Sequence, residues 1–475
     1  MIKLSEVLQM FHIACNDHRV LLGMSDHSKE IVKDWLFVCR KGNQIEQQQQ
    51  HIEEALNNGG VVLCEGSLLC KNVYTCEHIE TKIQTLIELY YGNLCDNISV
   101  IGITGTNGKT SVASIITQFL KMEKKEVMQL GTGFVKYKGN EETTSNTTLG
   151  CFQLANYFRK ANGNGIDAIV MEVSSHALDQ NRINFITFDA IVYTNISQDH
   201  LDYHLTKTHY QYTKFKLRKY VKPKGFLVYN TDCPLLFDLP ALTKCSCIGV
   251  GLKASHFGIS NVVLDAVHSS FEMEKVVYKS GLLGMMNIYN IAQAIVLCRL
   301  LKIEAQHLQE DCLAIKPVLG RLEVIQAKNF VIWLDYAHTP EALKTLLQFA
   351  NKVKKRRVIC LIGCGGNRDH KKRKLMADIA SEESDIAIYT SDNSRSERVC
   401  DILNEMMISR LANVKVYENR YFAIKHTIKI AQNSDIIIIA GKGDEDGITI
   451  YGKTYPFSDK KIVRERLVKE ELAWK

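Results

Sequence analysis

The chain has no stretch of about 18 uncharged apolar residues, the length a helix needs to cross a bilayer, and no basic-then-apolar start of the signal type. No membrane insertion is expected, and a cytoplasmic location is. A metal-type cysteine array is also missing. Fifteen cysteines are scattered, and neither Cys245-Ser246-Cys247 nor Cys360 with Cys364 has a partner pair at zinc spacing. Reduced, mostly buried thiols of a cytosolic protein are the expectation. Dense basic clusters are lacking too. The strongest run is Lys352-Val353-Lys354-Lys355-Arg356-Arg357, which reads as a solvated helix end, and a net charge of +7 is modest for 475 residues. That balance suits anionic substrates but argues for no nucleic acid. What remains, 46% hydrophobic and 23% charged residues, describes a soluble globular chain too long for one ordinary core.

The stretch Val100-Ile101-Gly102-Ile103-Thr104-Gly105-Thr106-Asn107-Gly108-Lys109-Thr110-Ser111 opens as an apolar strand and closes in a glycine-rich turn. Val112, Ile115, Ile116, Phe119 and Leu120 then recur with helical spacing. Strand, turn and helix in that order make a phosphate site: glycines let the backbone wrap an anion, amide N–H groups and the helix N-terminus point at it, and Lys109 adds a mobile charge. The common loop sets four residues between its first glycine and Gly-Lys, and Gly102 to Thr110 is read as that form, with Thr-Gly-Thr-Asn inside it. Thr110 is placed to put its hydroxyl on magnesium. An ordinary glycine turn would not need a strand and a helix on these two sides.

Residues 1–97 read as a unit of their own. They hold apolar strands at Trp35-Leu36-Phe37-Val38 and Val61-Val62-Leu63-Cys64, with a polar helix carrying Gln47 to Gln50 between them. From Val100 a second unit runs to about residue 320. Gly139 to Thr148 reads as a polar surface loop. Ile166 to Met171 and Asp189 to Thr194 read as strands ending in Glu172-Val173-Ser174-Ser175-His176 and in Asn195 to His204. Polar groups at the carboxyl ends of neighbouring strands are where open α/β sheets bind ligands. Glu172 and His200 are therefore placed toward the phosphates, with donors that suit magnesium or manganese. Either His200 or His204 alone would be a surface-loop histidine. Lys214, by pattern, is one solvated lysine of a basic helix. Short strand-like pieces between Gly249 and Tyr278 suggest a small antiparallel layer, and Asn287 lies on a helix starting near Met286, toward the nucleotide.

From Leu322 the alternation restarts as a second α/β unit, with strands near Val331, Val358, Asp385, Val414 and Asp435. Its strand ends carry Asp335-Tyr336-Ala337-His338, Gly363 to Asp369, Ser391-Asp392-Asn393-Ser394-Arg395 and Gly441-Lys442-Gly443-Asp444-Glu445. Such an edge makes a ligand crevice, and a P-loop domain with a second crevice suggests a reaction completed by domain closure. The class is α/β in three domains: residues 1–97, a central P-loop ATPase-like parallel-sheet domain at 98–320, and a C-terminal Rossmann-like domain at 321–475.

Together, Gly-Thr-Asn-Gly-Lys-Thr, Glu-Val-Ser-Ser-His-Ala-Leu, Asp-His-Leu-Asp-Tyr-His, Asp-Tyr-Ala-His-Thr-Pro, Gly-Cys-Gly-Gly-Asn-Arg-Asp and Gly-Lys-Gly-Asp-Glu resemble the Mur ligases of peptidoglycan synthesis, in particular the type that adds the third peptide residue. The resemblance runs from Val100 to the C-terminus. It implies an ATP-dependent amide-forming ligase acting in cell wall biogenesis, with ATP, two Mg2+ ions, a UDP-MurNAc-dipeptide and an incoming amino acid, meso-diaminopimelate or lysine, as its small-molecule partners. It places Gly105, Thr106, Asn107, Gly108, Lys109, Thr110, Ser111, Asn287, Arg321, Asp335 and His338 around ATP. Thr110, Glu172 and His200 would be metal ligands. Lys214 falls where the family carries a carbamylated lysine. Catalysis would rest on Lys109, Lys214 and His200. Ser28, Thr147, Thr148, Ser174 and Arg182 would contact the UDP-muramoyl peptide, and Arg368, Asp392, Asn393, Arg395, Gly441 and Glu445 the amino acid. Arg395 stands where diaminopimelate-adding members carry arginine, although Ser394-Arg395-Ser396-Glu397 also reads as a helix start.

The chain departs from the family pattern at several points. His27-Ser28-Lys29 replaces Asp-Ser-Arg, Asp34 replaces a common glycine, Gly42 to Gln50 replaces a Gly-x-x-x-Asp-Gly segment, Leu149 and Ser394 replace prolines, and Asp444 replaces histidine. The ATP and magnesium motifs are intact. The alternatives are a lysine-adding or divergent paralogue on a related acceptor, a folylpolyglutamate-synthetase-like ligase, and a P-loop ATPase or binding module without ligase activity. The last would not need four polar strand ends in a further domain.

Overall fold

A computed structural model of the chain describes residues 2–40, 45–66, 70–197, 199–254, 256–318, 322–408 and 412–470. The chain divides into two compact units, residues 1–256 with 293–302, and residues 257–292 with 303–475.

The first unit holds two sheets. Strands Gly23–Ser25, Trp35–Cys39, Val61–Glu65 and Val73–Cys76 pair in sequence order, all parallel. The polar helix between them is Ile45–Asn57, with Ile52 and Ala55 buried against Phe37 and Val62. The larger sheet runs Ser246–Gly251, Val221–Asn230, Phe188–Tyr193, Ser99–Thr104, Ala168–Glu172 and Val127–Gly131, all parallel, and ends in antiparallel Phe134–Tyr137 and Asn140–Thr143. Its central strands are buried along their length, as sheets covered on both faces require. Helix Lys109–Met122 lays the expected apolar face, Val112, Ile115, Ile116 and Phe119, into that core. The stretch expected as a surface loop is in part a hairpin. Asn140–Thr143 pairs with Phe134–Tyr137, and Thr148 is buried, its hydroxyl donating to the Glu172 carbonyl at 2.8 Å.

In the second unit, Ser260–Leu264, Ser269–Met273 and Val276–Ser280 form the expected antiparallel layer. The main sheet is ordered Glu323–Gln326, Val331–Asp335, Ile436–Ala440, Val358–Cys364, Ile386–Ser391, Val414–Tyr417, parallel except for its first strand. Successive strands go outward from Val358–Cys364 on one side, while Ile436–Ala440 and Val331–Asp335 lie on the other. The order therefore reverses at the boundary between Val358–Cys364 and Ile436–Ala440, the place where doubly wound sheets open a crevice. Hydrogen-bonded pairing across that boundary stops at Leu361 with Ile439. Hairpin Gly447–Ile450 with Lys453–Pro456 stands beside the crevice, and Arg395 bridges to Ile450. Among the described residues, no helix is long and apolar enough to cross a membrane.

Candidate active site

The phosphate loop is built by the strand end at Thr104 and the helix start at Lys109. Five residues, not four, separate Gly102 from Gly108. Gly102 lies inside the strand, so the turn's own glycines are Gly105 and Gly108. A β-carbon on Gly105 would stand 1.9 Å from the Thr194 hydroxyl, so no larger residue fits there. The loop is pinned from the neighbouring strand end. Asn195 accepts from the Asn107 N–H at 3.0 Å and donates to the Asn107 carbonyl at 3.0 Å, while its own carbonyl accepts from Thr106 N–H at 2.8 Å. Thr194 Oγ1 donates to the Asn107 carbonyl at 2.6 Å. Neither residue is singled out by sequence reasoning. Their signal was position alone, directly after a strand beside the P-loop strand.

Two lysines converge on this turn. Lys109 Nζ donates to the Gly105 and Thr106 carbonyls, both at 2.9 Å. Lys214, on helix Lys207–Phe215, donates to the same Gly105 carbonyl at 2.9 Å and lies 4.9 Å from the centre of the Tyr210 ring. Lys214 is buried, which corrects its reading as a solvated lysine. Burial, and then the Lys109 charge, push its ammonium well below the usual lysine range, and burial also lowers Lys109. Both amino groups thus meet at one carbonyl of the turn.

Glu172 supplies the opposite charge. It is buried, accepts from Thr110 Oγ1 at 3.0 Å and Thr132 N–H at 3.2 Å, and its burial raises its carboxyl against the lowering effect of those bonds and of Lys109. Thr110 and Glu172 are thus together as expected, with Thr132 an unforeseen partner. His200 sits at a positive φ of 49°, half exposed, its ring 3.5 Å from Asp199 Oδ2 and 5.0 Å from that of His176. It reaches the loop's surroundings through Tyr210, whose hydroxyl lies 3.1 Å from Thr106 Oγ1. His204, by contrast, is buried, with neither ring nitrogen hydrogen-bonded.

Thr148, Ser174 and Arg182 form one group. Ser174 N–H donates to Thr148 Oγ1 at 3.0 Å and Arg182 donates to the Thr148 carbonyl at 2.7 Å, while Thr147 Oγ1 accepts from Thr132 at 3.1 Å. Ser174 also caps helix Ser175–Asp179. Ser28 stands apart from them. Its hydroxyl donates to Glu54 at 2.6 Å and lies 3.0 Å from His51, both on the glutamine-bearing helix. Asn287 bonds within its own helix and to the Leu283 carbonyl. Asp335 accepts from Leu322 and Ala337 N–H groups, a brace for the strand end. Arg321 lies outside the described residues.

The second unit's crevice is a cavity of about 300 Å³ lined by His338, Arg368, Asp392, Asn393, Arg395, Gly441 and Glu445, together with Tyr336, Thr339 and Lys372. All six residues expected around the amino acid are therefore in one place. Asn393 is the hub: its amide donates to Glu445 at 2.8 Å, and its carbonyl accepts from Thr449 N–H at 2.8 Å and from buried Lys442 at 3.3 Å. Lys442 also pairs with Glu445 at 2.7 Å. Burial opposes the Glu445 charge, but the Lys442 and Asn393 hydrogen bonds outweigh it and lower the carboxyl. Arg395 does not open a helix, since the helix that follows begins at Val399. It holds a left-handed backbone, φ 51°, and donates from its guanidinium to the Gly366 carbonyl at 2.6 Å. The substituted Ser394 is buried beneath it.

Two family models match the chain. The Mur ligase middle domain matches residues 103–298, and the Mur ligase glutamate ligase domain matches residues 320–443. The chain belongs to the Mur ligase family. It is accordingly an ATP-dependent, amide-forming ligase with that family's three-domain α/β fold. Among its relatives is the UDP-N-acetylmuramoyl-L-alanyl-D-glutamate–2,6-diaminopimelate ligase of Halalkalibacterium halodurans, 32% identical over 455 residues, 93% of each chain. The Aquifex aeolicus protein of the same name is 34% identical over 94% of this chain and 93% of its own. A solved structure of a ligase so named superposes with a TM-score of 0.80 at 26% identity, covering 99% of both chains. The MurF ligase of Thermotoga maritima, solved with ADP, shares the fold at a TM-score of 0.59 and 18% identity, covering 94% of this chain and 97% of its own.

Proposed function

We propose that this Mur ligase joins meso-diaminopimelate to UDP-MurNAc-L-Ala-D-Glu at the expense of ATP, in the cytoplasm, as the third-residue step of peptidoglycan synthesis. The observation that carries the reading is the crevice holding Arg395 and Arg368 together with Glu445 and Asp392. Diaminopimelate differs from lysine by one carboxylate on its distal carbon. An arginine fork binds a carboxylate through two parallel hydrogen bonds, and a carboxylate partner suits the distal ammonium. The relatives' names support the same substrate pair.

In this reading the nucleotide peptide's carboxylate attacks the γ-phosphorus of ATP, releasing ADP and leaving an acyl phosphate. The amino group of diaminopimelate then attacks the acyl carbon, forming the amide and expelling phosphate. Lys109 holds charge at the transferring phosphoryl group, and the amides of Gly105 to Thr110 orient it. Thr110, Glu172 and His200 would hold magnesium, which offsets phosphate charge when bound. The buried, under-compensated Glu172 carboxylate beside the Thr110 hydroxyl fits such an ion. Among the described residues no three acidic, His or Cys side chains form a cage. Lys214, its ammonium disfavoured by burial, is suited to take up CO2 as a carbamate, which would support a second ion. Domain limits of 1–97, 98–320 and 321–475 belong to this reading, as do roles for Ser28, Thr147, Thr148, Ser174 and Arg182 at the UDP-muramoyl peptide.

The test is ADP release with UDP-MurNAc-dipeptide across a panel of amino acids. Turnover should require both substrates and be fastest with meso-diaminopimelate. Faster turnover with lysine would move the reading to the lysine-adding type, and ADP release without either substrate would leave only an ATPase.

A further inference from the structure

Arg420 and Asp459 are an ion pair buried from solvent, 0% and 1% exposed at their side chains. Arg420 Nε and one terminal nitrogen donate to the two Asp459 oxygens at 2.9 and 2.7 Å. The remaining contacts of the guanidinium are with main chain: the Ala440 carbonyl at 3.0 Å and the Ser391 carbonyl at 3.4 Å. These are the last residues of strands Ile436–Ala440 and Ile386–Ser391. In the sheet those strands flank Val358–Cys364 on opposite sides, and the ladder between Ile436–Ala440 and Val358–Cys364 has already ended at Ile439. One planar group therefore ties Ala440, on one side of the boundary where the crevice opens, to Ser391, on the other side beyond Val358–Cys364. The next residues along each strand are Asp392 and Gly441, both in the cavity wall.

Helix stability does not explain the pair. Arg420 is the first residue of helix Arg420–Ile430, where a cation opposes the helix dipole, and Asp459, first in helix Asp459–Lys469, with Asp392 and Glu445 farther off, offsets it. Buried ion pairs are also commonly no more stabilising than apolar residues of similar size. What the pair does supply is a fixed spacing between two carbonyls beyond the point where the ladder from Ile436–Ala440 to Val358–Cys364 has ended.

We propose that Arg420 and Asp459 are positioning residues for the incoming amino acid: they set the width of the crevice and thereby the placement of Asp392 and the Gly441 turn. The inference rests on the amino-acid-binding role proposed for that crevice.

The experiment compares wild type, Arg420→Lys and Asp459→Asn in full-length enzyme. KM is measured separately for ATP, nucleotide peptide and amino acid, with a thermal melt of each protein. Arg420→Lys keeps the charge but loses the fork that spans both carbonyls, and Asp459→Asn keeps the shape but loses the charge that orients it. Both should raise KM for the amino acid by about tenfold, because ångström-scale misplacement weakens a charged contact that much, while the other two KM values stay within about twofold. An unmoved amino-acid KM in a folded variant overturns the inference, as does an equal rise in all three constants or loss of the fold in both variants. A wild type that joins no amino acid to the nucleotide peptide overturns the ligase reading and this inference with it. An active wild type with unmoved variants overturns this inference alone.

Discussion

Replacing Arg395 by alanine tests the acceptor assignment most directly. The residue's left-handed backbone, φ 51°, is as strained for alanine as for arginine, so the substitution removes the side chain without changing the backbone preference. The guanidinium gives one N–H to the Gly366 carbonyl at 2.6 Å. That bond aims the fork along the crevice wall. Losing one member of a buried charged pair costs about 2–5 kcal/mol. Arg395 is only partly buried, so the lower end applies: about 2 kcal/mol, or roughly 30-fold in affinity. The assay is steady-state ADP release at saturating ATP and nucleotide peptide, with diaminopimelate and lysine titrated in parallel. The expected outcome is a loss of about 30-fold in kcat/KM for diaminopimelate, with residual lysine use nearly unchanged. Arg395→Lys should fall between, since a lysine keeps charge without the planar fork. Equal losses with both amino acids, or a wild type that prefers lysine, would refute the reasoning.

Three further outcomes are expected. Lys109→Ala should lower kcat by about a hundredfold or more while leaving the melting temperature near wild type, because charge stabilisation at the transferring group is lost; near-normal turnover by the folded variant removes Lys109 from the chemistry. Lys214→Ala should be poorly active and partly restored by short-chain carboxylates standing in for a carbamate, and full activity without them would show that no modified lysine is needed. Glu397 is held at about 2, below the ordinary 4.5, by its hydrogen bonds from Arg373 and the Asn367 N–H. Its contribution to stability is therefore present above pH 4.5 and lost as pH falls from there toward about 2. Urea midpoints of wild type should drop across that window more steeply than those of Glu397→Gln, and parallel curves would deny the linkage.

Much of this protein was legible in its residues. The phosphate loop, the alternation of strand and helix, and the polar strand ends all follow from local patterns: period-two and period-3.6 burial, glycines where the chain turns, and the rule that α/β sheets bind ligands at their carboxyl edge. The six residues proposed for the amino acid lie after three strands far apart in the chain, and the alternation sufficed to place those strand ends on one edge. Local patterns misled where a residue's role depends on a distant neighbour. Lys214 sits in a basic, polar helix that reads as solvated, and only its packing against Gly105 buries the amine and lowers its proton affinity. Ser394-Arg395-Ser396-Glu397 has the composition of a helix start, yet the bridge from Arg395 to the hairpin strand Gly447–Ile450 holds it in a left-handed turn past the strand end. Asn195 and the Arg420–Asp459 pair carry no motif at all. They matter because sheet order brings together residues that the chain keeps 29 to 88 positions apart. The periodicity of side chains along one strand or helix is a local property, so the residues alone determined which elements form and which of their ends are polar. Which strands lie side by side is set by burying all those elements in common cores, and that tertiary choice alone decided which charges are stripped of water and which groups must answer them.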